Sequence, residues 1–261
     1  MALKLSTALR NAMLESQPLK LAMDNCVLKV YSGTQPATAD AAPTGTLLCT
    51  YSVASGAITR EVLAQGKVVI SGASGSLDTL TVNSLEIMGS STAFDGTNTT
   101  LTLVADAIAR KINNNPNNQL FVASRSGTDT IILTCKPGVG AVTWTVTSTA
   151  TTLGRTDTNI GTLTAGTAPV NCLGWGDAAA GVLSKLPAQT WSGVAGNTGS
   201  AGWFRFEASV SDAGALDSTE SIMRVDGLVA TSAAELNLST TTMTSGLTQT
   251  VDTFTMALPT A

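Results

Sequence analysis

The chain has 261 residues, 43% of them hydrophobic and only 12% charged, with a net charge of −4 and no histidine. Scattered Lys and Arg on an acidic chain exclude a nucleic-acid partner, which needs clustered cations. The lack of any run of about 18 apolar residues excludes a helical membrane span, and the lack of histidine removes Ser-His-Asp, Cys-His and the usual zinc-hydrolase arrangements.

Such a length fills one large domain or two modest ones. So little charge leaves a surface of Ser, Thr, Asn and Gly, or one covered by neighbouring subunits. Lys4 and Arg10 interrupt the opening segment and no apolar signal region follows, so synthesis in a cytoplasm is expected. The opening LSTALRNAMLE predicts a short amphipathic helix with Leu5, Leu9, Ala12 and Met13 on one face and Ser6 or Thr7 as its cap. It would dock on its own domain or on a second copy. Next, CVLKVYS and TLLCTYSV read as strands joined by a connector in which Pro36, Pro43 and Gly45 make turns. Asp40, the connector's one acid, reads as a turn or solvated residue.

From residue 67 to 166 the texture changes, and an inserted α+β domain of order ββαβββ is expected. Its strands are KVVIS, LDTLTVNSLEIMG, LFVASRS, DTIILTC and AVTWTVTS. Its helix places Leu101, Val104, Ile108 and Ile112 at helical spacing, pairs Asp106 with Arg110, and ends over residues 113–116. Around it, residues 1–66 and 167–261 predict a discontinuous antiparallel β-sandwich, Ig-like or jelly-roll-like. In GWFRFEASV, Trp203, Arg205 and Glu207 alternate with Phe204 and Phe206. In the last strand Phe254, Met256 and Leu258 share a face.

No catalytic, cofactor-binding or metal residue is assigned. The densest acids, Asp212, Asp217, Glu220 and Asp226, are the only candidates for carboxylate-pair chemistry, and turn formation and solvation account for Asp212 and Asp217. Residues 95–98, DGTN, lack the acid ladder of a calcium loop. The glycine-rich SGASGS and PGVG lack the phosphate-loop lysine, and PGVG reads as a hairpin turn. Cys26, Cys49, Cys135 and Cys172 are widely spaced and read as buried free thiols. Trp175, Trp191, Trp203, Phe204 and Phe206 read as core, with a sugar-stacking platform as the alternative use of such rings.

Four strings carry a family resemblance: LSTALRNAMLE, LKVYSGTQPATADAAPTGTLLCT, GVLSKLPAQTWSGVAGNTGSAGWFRFEAS and RVDGLVATSAAELNLSTTTMTSGLTQTVDTFTMALP. Together they resemble a class of small tailed-bacteriophage virion structural proteins, over about residues 1–66 and 170–261. The middle segment is similar to β-rich modules of phage tail and appendage proteins. The resemblance implies a non-enzymatic virion subunit, either capsid decoration or cement or a head–tail (neck or tail) component, assembled in the host cytoplasm. Its implied partners are the major capsid, neck or tail proteins and copies of itself, in a symmetric homo-oligomer with no membrane contact and no cofactor. A tail-associated receptor- or glycan-binding module and a carboxylate-only hydrolase are the alternatives.

Overall fold

The chain begins with β1 (Lys4–Leu5), α1 (Thr7–Glu15), α2 (Leu19–Ala22), β2 (Val27–Ser32) and β3 (Leu47–Val53). A middle stretch follows with β4 (Gln65–Ile70), β5 (Ser74–Val82), β6 (Leu85–Glu86), β7 (Thr92–Asp95), α3 (Leu101–Asn114), β8 (Phe121–Ser126), β9 (Thr130–Cys135), β10 (Val146–Thr151) and β11 (Arg155–Thr158). The chain closes with β12 (Val182–Ser184), β13 (Trp191–Val194), β14 (Gly199–Glu207) and β15 (Arg224–Ala230). After these come β16 (Leu236–Asn237), β17 (Thr242–Met243), β18 (Thr248–Val251) and β19 (Thr255–Ala257). The computed structural model describes residues 3–15, 17–96, 99–118, 120–137, 145–159 and 164–257. The protein is mainly β, with antiparallel sheets and few helices.

Two compact units divide the chain: Met1–Arg60 with Pro169–Ala261, and Glu61–Ala168. The first is organised by a nine-stranded sheet of order β1-β15-β14-β2-β3-β13-β18, with β16 on β15 and β17 on β14; β12 pairs with β19 apart from it. In this sheet Phe204 of β14 lies opposite Val30 and Gly227, and Phe206 lies opposite Leu28 and Val225. Because side chains alternate across a strand, these residues share one face. That face belongs to one buried cluster with Trp175, Trp191, Phe254 and Met256. A Cβ at Gly227 would come within 2.6 Å of the Phe204 ring, so the glycine makes room for it.

The predicted N-terminal helix docks on its own unit, with Leu9 buried and Ala12 and Met13 packed against the same cluster. It starts at Thr7, and Leu5 just before it pairs with Val225 as a strand. Ser6 caps it, its Oγ accepting from the Leu9 N–H at 3.3 Å. Phe254 and Met256 are buried as expected, while Leu258 lies outside the described residues.

The second unit holds two four-stranded sheets, β10-β5-β6 with β7 on β5, and β11-β4-β9-β8. The helix α3 is capped by Thr100, whose side chain accepts from the Leu103 N–H, and it buries Val104, Ala105, Ile108, Ala109 and Ile112. Four strands precede α3 and four follow it among the described residues, where ββαβββ was expected. The reason is that β6, β7 and β11 are two to four residues long, too short to show a period. Asn83 and Ser84, both at positive φ, make the tight turn that splits the predicted LDTLTVNSLEIMG strand into β5 and β6. Asp106 pairs with Arg125 of β8 at 2.6 Å rather than with Arg110 one turn along its helix. Residues 138–144, which hold the last three residues of PGVG and Trp144, lie outside the described residues.

Candidate functional site

The opposite face of β14 carries the densest buried chemistry in the first unit. Trp203, Arg205 and Glu207 share that face, and all three are buried. Register puts Arg205 opposite Lys29 of β2 and Asp226 of β15, and Glu207 opposite Arg224. Arg205 and Glu207 each face an opposite charge on β15, the favoured arrangement for directly opposed pairs. On β2, by contrast, Arg205 faces a like charge, Lys29, which turns to Glu207 instead.

Each charge has a partner. Arg205 grips Asp226 with both arms, Nε to Oδ1 at 2.8 Å and Nη2 to Oδ2 at 2.7 Å, and both side chains are 0% exposed. Arg224 makes a second bidentate pair with Asp212 from the loop before β15, at 2.6 and 2.7 Å. Glu207 sits between Lys29, 2.7 Å from Oε1, and Arg60, which donates to Oε2 and to the Ala208 carbonyl. The Lys29 contact is poorly aligned for a hydrogen bond, so charge attraction carries it. The Trp203 ring stacks on Tyr31 with centroids 4.5 Å apart, and the Arg205 guanidinium lies 5.5 Å from the Trp203 ring centre.

Two loops lie against this layer. The connector over residues 33–46 presents carbonyls: those of Ala39, Asp40 and Ala41 accept from Arg224 Nη1, and that of Thr44 accepts from the Trp203 indole N–H at 3.2 Å. Its Gly45, at φ +76°, could not carry a side chain, since a Cβ would fall 2.0 Å from the Ser32 carbonyl oxygen. Asp40 lies in a turn, as expected, closed by the Ala41 N–H donating to the Thr38 carbonyl at 3.3 Å, but it is not merely solvated. Its carboxylate accepts from the Thr7 N–H and Oγ1, both at 2.8 Å, and so completes the N-terminus of α1. The loop over residues 208–223 adds Asp212 and Asp217. Asp217 accepts from the Thr219 and Ile222 N–H groups and donates its own N–H to the Asp40 carbonyl.

Electrostatics follow burial. For Asp212, burial alone would raise the carboxyl, but the Arg224 hydrogen bonds and charge more than offset it and hold it below the usual range. Asp217 is also held low: burial would raise it, and backbone and Thr219 hydrogen bonds outweigh that. For Asp226 burial wins, and its carboxyl is pushed up despite Arg205.

The four candidate acids are not brought together as a catalytic group. Asp212 and Asp226 join the layer on separate arginines, Asp217 serves its loop, and Glu220 is exposed at positive φ. A general acid or nucleophile must reach substrate. The side chains of Asp226, Asp212 and Glu207 are at most 1% exposed. The solvation reading of Asp212 and Asp217 is thus corrected, since one is a buried ion-pair partner and the other is buried in its loop. The turn reading holds: Asp212 accepts from the Gly214 N–H and Asp217 from the Thr219 N–H. Asp95 ends β7 and accepts from Thr99; residues 97 and 98 lie outside the described residues.

Trp175, Trp191 and Trp203 are all buried, so none offers a stacking surface to a sugar. Trp175 and Trp191 meet edge-on at 5.2 Å within the core, and Trp203 lies in the charged layer on the other face of the sheet. All four cysteines are buried and unbridged, and burial pushes the Cys49 and Cys135 thiols up to about 11.

A different surface lies at the N-terminal helices. A groove of about 330 Å³ is lined by Met13, Pro18, Leu19, Val182, Leu183 and Met256. On the same helices Leu14 is 86% exposed and Leu21 39% exposed. Sequence reasoning identified the packed stripe of α1 and missed this face, because Leu14 lies off the stripe and the groove is completed by residues more than 150 positions away. Scans against protein-family models, curated proteins and solved structures find no match.

Proposed function

We propose that this chain is a non-enzymatic structural subunit of a tailed-bacteriophage virion, a capsid decoration or cement protein or a head–tail component. In this reading the first unit is an antiparallel β-sandwich and the second is an α+β domain inserted into it. The observation that carries the proposal is the apolar N-terminal face. Leu14 and Leu21 project beside a groove lined by Leu19, Val182 and Met256, on a chain with 12% charged residues. Exposed apolar surface of this kind marks a contact with another protein. The resemblance of the N- and C-terminal segments to virion proteins supplies the assembly. The buried state of the paired acids favours a framework over a reaction centre.

The test is incorporation into particles. Wild-type protein is expected in gradient-purified virions. Leu14→Lys, a change at an exposed position, is expected to leave circular dichroism and melting unchanged and to reduce incorporation severalfold. Absence of the wild-type protein from purified particles, or equal incorporation of the two, would sink the proposal.

A further inference from the structure

Among the described residues the strand β8 ends its sheet, so one side of its backbone has no strand partner there. Cys135 donates its N–H to Ala64 on the β4 side, which turns Thr134, Ile132 and Thr130 of β9 towards β8. Val122, Ser124 and Ser126 therefore bond to β9, and Phe121, Ala123 and Arg125 aim their N–H and C=O groups at the open edge.

Two of those three positions are already occupied by side-chain amides. The Asn113 carboxamide, at the end of α3, accepts from the Ala123 N–H and donates to the Ala123 carbonyl, both at 2.8 Å. The Asn118 carboxamide does the same for Phe121, at 3.2 and 3.0 Å, and is itself anchored by donating to the Ile112 carbonyl at 3.0 Å. A carboxamide has the donor–acceptor pair of a peptide group, so each asparagine makes the two bonds that an added strand would make.

We infer that Asn113 and Asn118 are stand-ins for a missing strand, closing the β8 edge against pairing with a second copy of this chain. The edge needs closing. Val122 is 46% exposed on it, and a groove of about 400 Å³ runs between α3 and β8, with half-exposed Leu103 on its wall. An open, partly apolar edge beside free space is a template for edge-to-edge pairing, and a second copy supplies an identical edge. Other surfaces remain free to assemble, so this inference is independent of the proposed virion role.

Amide hydrogen exchange on the intact wild-type protein is the first test. The Phe121 and Ala123 amides are expected to exchange as slowly as those of Val122 and Ser124, although they face away from the sheet. Fast exchange at both would overturn the inference, and this measurement needs no variant. Asn113→Ala is then expected to speed exchange at Ala123 about fivefold, the equilibrium worth of one net hydrogen bond, and to leave Ser124 unchanged. Its weight-average mass in sedimentation should rise with concentration above that of wild type, and adding Val122→Lys at the edge should reverse the rise. An Asn113→Ala variant that sediments as wild type at every concentration, or association that survives Val122→Lys, would refute it.

Discussion

Replacing Asp226 by Asn removes one charge from the sealed layer and leaves its shape almost intact. The Arg205 guanidinium, 0% exposed, keeps its position but loses its anion, and its Nη1 already has no hydrogen-bond partner. Taking one partner from a buried ion pair costs about 3–5 kcal/mol, because the remaining charge is uncompensated. Folding free energies run to about 5–15 kcal/mol. With a urea slope of roughly 2 kcal/mol per molar, the midpoint should fall by about 2 M. Tryptophan fluorescence is a direct readout, since Trp203 stacks on Tyr31 and lies beside Arg205. The double change Arg205→Met with Asp226→Leu removes both charges and should recover most of the loss, as hydrophobic replacement of a buried pair is near neutral. A single-variant cost below about 1 kcal/mol, or a double variant as unstable as the single, would refute a dry, mutually dependent layer.

Other outcomes follow from the same geometry. Asp40→Ala should cost about 0.5–2 kcal/mol, the worth of a helix N-terminal acceptor, and should raise exchange at the Thr7 amide before the sheet loosens. Asp212 has a folded pKa below its unfolded one, so between the two the unfolded chain binds more protons and stability rises with pH. Its contribution is present above about pH 4 and fades as pH falls through the folded value, so acid-unfolding curves of Asp212→Asn should be flatter there than those of wild type. A thiol-reactive dye should label none of the four cysteines rapidly in the native protein and all four in urea, given their burial and the raised Cys49 and Cys135; fast native labelling would contradict the packing.

What the sequence made legible was local. The alternation WFRFE separated Phe204 and Phe206 from Trp203, Arg205 and Glu207, and the spacing of Leu101, Val104, Ile108 and Ile112 marked α3, because each pattern repeats within a few residues. The charged layer was not legible. Its covering contacts come from backbone carbonyls at residues 39–44, and carbonyls are the same in every sequence. Asp40 is 33 residues from the helix it caps, so no short-range motif announces it. Asn113 was visible only as a helix end, since its use on β8 depends on where that strand stops being paired.

The proposed structural role in a virion calls for locating the chain in particles. Cryo-electron microscopy of purified virions, with this chain fitted or tagged, should show symmetric copies bound to the shell or to the neck and tail, with the α1–α2 face against a neighbouring subunit. Particles that lack the chain, or that hold it with that face turned to solvent, would rule out the proposed role.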